Sequence, residues 1–178
     1  MSVADSQHKS KGSLTRALQR WRGAGERKRL LQVIQPALIG LIDGTISTLA
    51  PIFATAYIAG SRAALLVGLA AALGAAISMG MSEGLSDDGS LTGRGSSLPR
   101  GLITGVATFL GGAAHTLPFL IGDLDQALKV AYVVVACELV LIAFVRKRFL
   151  RVSLTGSLVQ VTLGGLIVVA VGVAVGHG

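Results

Sequence analysis

Residues 36–58 read PALIGLIDGTISTLAPIFATAYI, 23 positions with a single charged side chain, Asp43. As a helix, a run of that length and polarity crosses a hydrocarbon core about 30 Å thick. Four more such runs follow, at about 63–84, 99–121, 127–145 and 153–176. Composition points the same way. The 178-residue chain is 52% hydrophobic and 14% charged, with a mean hydropathy of +0.70. A water-soluble globule carries charge on about a quarter of its residues. The sequence therefore predicts an all-α membrane protein with five transmembrane helices. Residues 1–35 form a basic cytoplasmic tail, and residues 36–178 form one five-span membrane domain without an internal repeat.

The ends of the spans carry local signals. Pro36 and Pro99 suit first helical turns, Asp125 and Ser153 suit N-caps, and Gly60 and Gly122 suit helix termination. Pro51 and Pro118 fall inside spans and should kink or break them. The single Cys137 excludes a disulfide scaffold. The first apolar run begins too late and is too long for a cleavable signal peptide.

Charge sets the expected orientation. With a cytoplasmic N-terminus, 14 of the 16 Lys and Arg residues fall on the inside and only Arg62 and Lys129 on the outside. The positive-inside rule then puts the C-terminus on the far side. The net charge of +7 thus flanks apolar spans and does not indicate nucleic-acid binding. Within residues 13–31, Leu14, Ala17, Leu18 and Trp21 share one helical face. They read either as an amphipathic helix on an anionic leaflet or as a topogenic tail interrupted at Gly23 and Gly25.

Small residues recur at four-residue spacing: Gly40 and Gly44, then Gly68, Ala72, Ala76, Gly80 and Gly84, then Gly101 and Gly105. Lipid gives helices no hydrophobic drive to associate, so such stripes serve close backbone approach. They speak for packing, within a chain or between copies, and not for chemistry.

Ionisable groups inside spans cost several kcal/mol and are functional candidates. Asp43 lies about 10 Å inside the first span, and Glu83 sits at the cytoplasmic mouth of the second, with Met79 one turn deeper. Glu138 in the fourth span and Gln160 in the fifth fall at comparable depth, so topology predicts that all five meet in one half of the membrane. Asp87 and Asp88 would attract cations at the mouth. Close carboxylates hold protons when empty, whereas oxygen donors beside a thioether suit a borderline transition-metal ion. A site that is either protonated or metallated is the minimum for metal/proton antiport. The bland readings are that Glu138 pairs with a basic or hydroxyl neighbour, that Met79 and Met81 only pack, and that Glu83 lies in the interface. His115, towards the far side, reads as an exit-side ligand or proton carrier, or as a hydrogen-bonded packing residue. Cys137 points about 100° away from Glu138 and reads as packing. No nucleophilic triad, phosphate-binding glycine loop or paired cysteine motif is present, so enzyme chemistry and bound cofactors are not expected.

GLIDGTISTLAPIFATAYIAG (40–60), GAAISMGMSEGLSDDGSLTGRG (74–95) and GGAAHTLPFLI (111–121) resemble the vacuolar iron transporter family. They are most similar to the membrane domain of its bacterial membrane-bound ferritin branch. The resemblance extends over about 36–176 and implies a five-span, dimeric exporter of Fe²⁺, with Mn²⁺ as an alternative, working against protons. It also implies that Asp43, Met79 and Glu83 are metal ligands. Two departures stand out. Residues 1–35 lack the Glu-x-x-His pairs of a ferritin-like di-iron domain, and residues 85–98 lack a Glu/Met-rich cytosolic segment, offering Asp87 and Asp88 alone.

The expectation is a divalent-metal exporter of the bacterial inner membrane. Asp43, Met79, Glu83 and Glu138 hold the ion, and Gln160, His115, Asp87 and Asp88 line or gate the path. Its partners are the bilayer, the cation, protons and a second copy. The rival expectation is a non-transporting scaffold that docks a partner through its basic N-terminal helix.

Overall fold

The computed structural model describes residues 23–177. The first part of the expected amphipathic segment lies outside them. Helix α1 spans Gln35–Ser47, α2 Leu49–Ser86, α3 Ser97–Ala114, α4 Leu124–Leu150 and α5 Leu154–His177, with no strand among the described residues. The chain is already helical and exposed over 23–29, passes through a π-helical turn at Leu30–Ile34, and continues into α1. Gly23 and Gly25, expected to interrupt a helix, lie within one.

Gly60 stands at φ 80°, ψ −177°, a conformation essentially confined to glycine. It divides α2 into two arms, 49–59 and 61–86, which fold back on one another. A Cβ on Gly68 would lie 2.9 Å from Ile52 Cγ1, whereas a straight helix would hold the two residues about 24 Å apart. The smaller break between α1 and α2 at Thr48 also has a local cause. Pro51 has no N–H for the Ser47 carbonyl, and the Thr48 hydroxyl donates to Gly44 O at 2.8 Å, a back-bond that bends helices.

The small-residue stripes form the contacts within this single chain. A Cβ on Gly40 or Gly44 would overlap the carbonyls of Thr104 and Thr108, so α1 runs parallel to α3 at minimal separation. The second arm of α2 runs antiparallel to α3, with Gly80 against Gly101 and Gly105, Ala72 against Gly112, and Gly68 against Thr116. Helix α5 returns beside the first arm, Gly172 meeting Ala50 and Gly176 meeting Ala54, and Gly165 faces Leu139 of α4. The first arm thus lies at the centre. There Phe53 stacks on Tyr132 at 4.7 Å and meets Phe119 edge-on at 6.4 Å. Leu66, Ile77, Val133 and Ile167 point outward and stay largely exposed, which is compatible with a bilayer around the bundle.

Three helical runs are long and apolar enough to cross a membrane: Gly23–Ser86, which includes the Gly60 reversal, Leu124–Leu150 and Leu154–His177. Three boundaries differ from the sequence expectation. The expected third span, 99–121, ends as an α-helix at Ala114 and continues as a 3-10 turn over Leu117–Leu120, because Pro118 cannot donate to the Ala114 carbonyl. Gly122 therefore terminates no α-helix. The cap of α4 is Asp123, whose carboxylate accepts from Gln126 N at 2.8 Å, while Asp125 sits in the first turn paired with Lys129. Ser153 does cap α5, accepting from Gly156 N at 3.1 Å.

Candidate functional site

Short loops and small-residue contacts fix the ionisable side chains at three levels of the bundle. At the end that carries the 87–96 loop, α3 begins with Arg100 buried at 1% exposure. Its Nε donates to Glu83 Oε1 at 2.8 Å, Nη1 to Gly95 O at 2.7 Å, and Nη2 to Asp87 O at 2.9 Å and Asp87 Oδ2 at 3.3 Å. Arg94 joins from the loop, its Nη2 2.6 Å from Glu83 Oε1 and its Nη1 3.4 Å from Asp87 Oδ2. The arrangement is two carboxylates neutralised by two guanidinium groups, and Glu83 is occupied by arginines.

The same loop shapes its acids. Partial desolvation pulls the Asp87 carboxyl upward, but the Thr92 hydroxyl, the Gly89 N–H and the Arg100 and Arg94 charges outweigh it and hold it below the usual carboxylate range. Asp88 is held low by the Ser90 N–H and hydroxyl. Asp87 is therefore part of the loop's structure, while Asp88 remains exposed at the mouth.

Asp43 lies deeper. Gly44 abuts Thr108, and on α3 the step from Arg100 to Thr108 is about 12 Å. Asp43 is half-buried on α1. Of the seven acids after residue 36, the other six each accept a hydrogen bond or ion pair. Asp43 has no such partner among the described residues. Met79 precedes Gly80, which faces Gly101 and Gly105, so it stands at a level between Glu83 and Asp43. Gly164 of α5 meets Ile46, which puts Gln160, one turn earlier, near the level of Asp43. Gln160 is exposed, and its Oε1 accepts from Arg146 Nη2 at 3.0 Å.

The third level lies about 10 Å beyond Thr108 along the same chain. His115 is fully buried, with Nδ1 2.8 Å from Glu138 Oε2 and Nε2 2.8 Å from Thr48 Oγ1. Glu138 is thus bound to His115 and does not join Asp43 or Glu83. Of the readings open for these two residues, the pairing of Glu138 with a basic neighbour and the hydrogen-bonded His115 match the geometry.

The expected meeting of Asp43, Met79, Glu83, Glu138 and Gln160 at one depth is accordingly drawn out into a staircase. Among the described residues, no three His, Cys, Asp or Glu side chains group to hold a metal ion. Helix direction alone gives depth to within about a turn and says nothing of which way a side chain faces. Sequence reasoning also missed Thr48 and the structural use of Arg94 and Arg100. A buried threonine column, Thr45, Thr104 and Thr108, lines the α1–α3 seam between the levels, and the Thr45 hydroxyl has no hydrogen-bond partner among the described residues. Threonine in an apolar helix looks like a generic tolerant residue until its neighbour is known. A groove of about 630 Å³ between the second arm and α3 is lined by apolar residues such as Ile77, Met81, Leu102 and Phe109, and by none of these acids.

Comparison with known proteins finds no matching family model, no matching curated protein and no matching solved structure.

Proposed function

We propose that the chain is a five-span divalent-cation exporter of the bacterial inner membrane, moving Fe²⁺ or Mn²⁺ out of the cytosol in exchange for protons. The observation that carries this reading is Asp43, a half-buried carboxylate without a partner among the described residues, inside a helix that is apolar enough to cross a membrane. Such a group is costly in lipid unless it meets a cation or a proton. The resemblance of 40–60, 74–95 and 111–121 to the vacuolar iron transporter family, and the excess of Lys and Arg at one end of the bundle, support the same reading. Asp43 and Met79 offer an oxygen and a thioether on adjacent steps, a donor pair suited to a borderline transition ion. Glu83 stands above them as an acid latched by Arg94 and Arg100, so a cation entering from that end competes with guanidinium groups for it. Two donors do not complete a coordination shell, and a second copy of the chain supplies the remainder. No resident cofactor and no enzymatic step belong to this reading.

The test is a proteoliposome assay with a metal-sensitive dye inside and an imposed pH gradient. Fe²⁺ movement should depend on the gradient and fall to background in Asp43→Asn. Full movement in that variant would remove Asp43 from the mechanism.

A second reading is favoured by one observation. The helix over 23–29 is exposed throughout and carries Arg27, Lys28 and Arg29, as a docking module would. Deleting residues 1–30 distinguishes the two: a transporter that still inserts keeps its flux, whereas a non-transporting scaffold loses its partner.

A further inference from the structure

Neither reading makes use of His115, Glu138 and Thr48, yet their hydrogen bonds fix where protons must be. Thr48 has one hydroxyl hydrogen, and the Gly44 carbonyl 2.8 Å away can only accept it. The Thr48 oxygen therefore turns lone pairs towards His115 Nε2 at 2.8 Å, so Nε2 bears a hydrogen. On the other side of the ring, Nδ1 and Glu138 Oε2 are 2.8 Å apart. Two bare lone pairs would repel at that distance, so one more proton lies between them. It makes either an imidazolium beside a carboxylate or a neutral ring beside a carboxylic acid. Both forms are neutral overall, as burial at 0% for His115 and 8% for Glu138 favours.

Removing that proton leaves one way to keep both contacts of the ring. The ring's remaining hydrogen moves to Nδ1 and donates to the Glu138 carboxylate. Nε2 then accepts from the Thr48 hydroxyl, which rotates away from Gly44. The heavy atoms need not move. We propose that His115, Glu138 and Thr48 form a buried one-proton binding site, whose loading decides whether the Thr48 hydroxyl donates to the Gly44 carbonyl or to His115. The exchange is a simple proton equilibrium, with the proton passing to or from water and no change of oxidation state. Its readout is the Thr48–Gly44 back-bond. Thr48 is the joint between α1, which carries Asp43, and the first arm of α2, where Pro51 has no N–H to give the Ser47 carbonyl.

The surroundings contain few competing charges. Ionisable side chains on the elements packed around the site are Asp43 on α1, Tyr57 on the first arm, and Arg62 and Glu83 on the second. Arg100 on α3 and Tyr132 and Cys137 on α4 join them, with Asp125 and Lys129 towards one end of α4 and Arg146, Lys147 and Arg148 towards the other, and α5 brings none before His177. Among the described residues none of these is hydrogen-bonded to His115 or Glu138.

The experiment is pH-difference infrared spectroscopy of the full chain in lipid nanodiscs, without metal, in H2O and D2O. The wild type should show a reversible change in carboxyl or imidazole-ring bands that is lost in Glu138→Gln and altered in His115→Asn. Thr48→Val should move the midpoint of that change, and Thr48→Ser should restore it. Should the Gln variant fail to fold, the wild-type spectrum with and without histidine isotope labelling still decides. Absence of any pH-dependent carboxyl or labelled-ring band overturns the proton site, and an unmoved midpoint in Thr48→Val overturns its link to the joint. The inference does not rest on cation transport: bands present without Fe²⁺ flux would sink the transport reading and leave the proton site intact.

Discussion

Arg100, 1% exposed, points its Nε at Glu83 Oε1 from 2.8 Å, which makes a helix start and a helix end parts of one ion pair. Four hydrogen bonds reach from this guanidinium to the end of α2 and the 87–96 loop. Removing one partner of a buried pair leaves the other uncompensated and costs about 3–5 kcal/mol. Arg100→Gln should lower stability in detergent by that order in denaturant or thermal unfolding. Arg94→Gln, at the better-exposed rim of the cluster, should cost about 1 kcal/mol or less. Equal losses in the two variants would show that Arg100 is not the organising member.

The loop should also respond to acid. Asp87 is held below its ordinary value of 3.8 when folded, so the folded loop binds its proton less readily than the unfolded one. The stabilisation is then fully present above the ordinary value and is lost as pH falls through the lower folded one. Amide exchange over residues 87–96 should accelerate, relative to the intrinsic rate, in that acidic window. Asp87→Asn should show weaker protection and no such step, and a step that persists in this variant would assign the acid sensitivity to another group.

Much of this arrangement was legible before any coordinates. The run containing Asp43 declared an apolar helix, Gly60 declared its end, and the four-residue spacing of Gly and Ala foretold which faces would touch. What escaped was direction around each helix. Glu83 and Glu138 were placed by depth with Asp43, yet each turned to a partner of opposite charge or hydrogen-bonding capacity on a different neighbour. Arg100 was counted as a topology marker, because a sequence records its charge but not that Gly95 and Asp87 offer it carbonyls. The third span shortened for a reason that Pro118 did announce, and Asp123 outcompeted Asp125 as a cap because its carboxylate lies three residues before the Gln126 N–H it accepts.

Gly60 offers a backbone test of the hairpin. Its φ of 80° and ψ of −177° are strained for any residue with a Cβ, at a cost of about 1–3 kcal/mol, although a Cβ there would meet nothing within 4 Å. Gly60→Ala should therefore destabilise by that amount without a packing clash, and Gly60→Asn should lose no less, since the conformation lies outside the left-handed helical region asparagine tolerates. A silent alanine variant would mean that the arms do not reverse at this residue.

The staircase from Glu83 through Asp43 to Glu138 makes a separable prediction about coupling. If cation and proton occupied the same carboxylates, every acid substitution would abolish flux and coupling together. Here Asp43, without a partner among the described residues, and the proton-holding His115–Glu138 pair sit on different levels, joined through the Thr48 break between α1 and α2. Glu138→Gln keeps a hydrogen-bonding group against His115 but fixes its charge. It should preserve downhill Fe²⁺ movement in proteoliposomes and abolish the part driven by a pH gradient, whereas Asp43→Asn should abolish both. Measuring flux with and without the gradient in the two variants separates the roles, and loss of downhill flux in Glu138→Gln, in protein shown to be folded, would return Glu138 to the cation path.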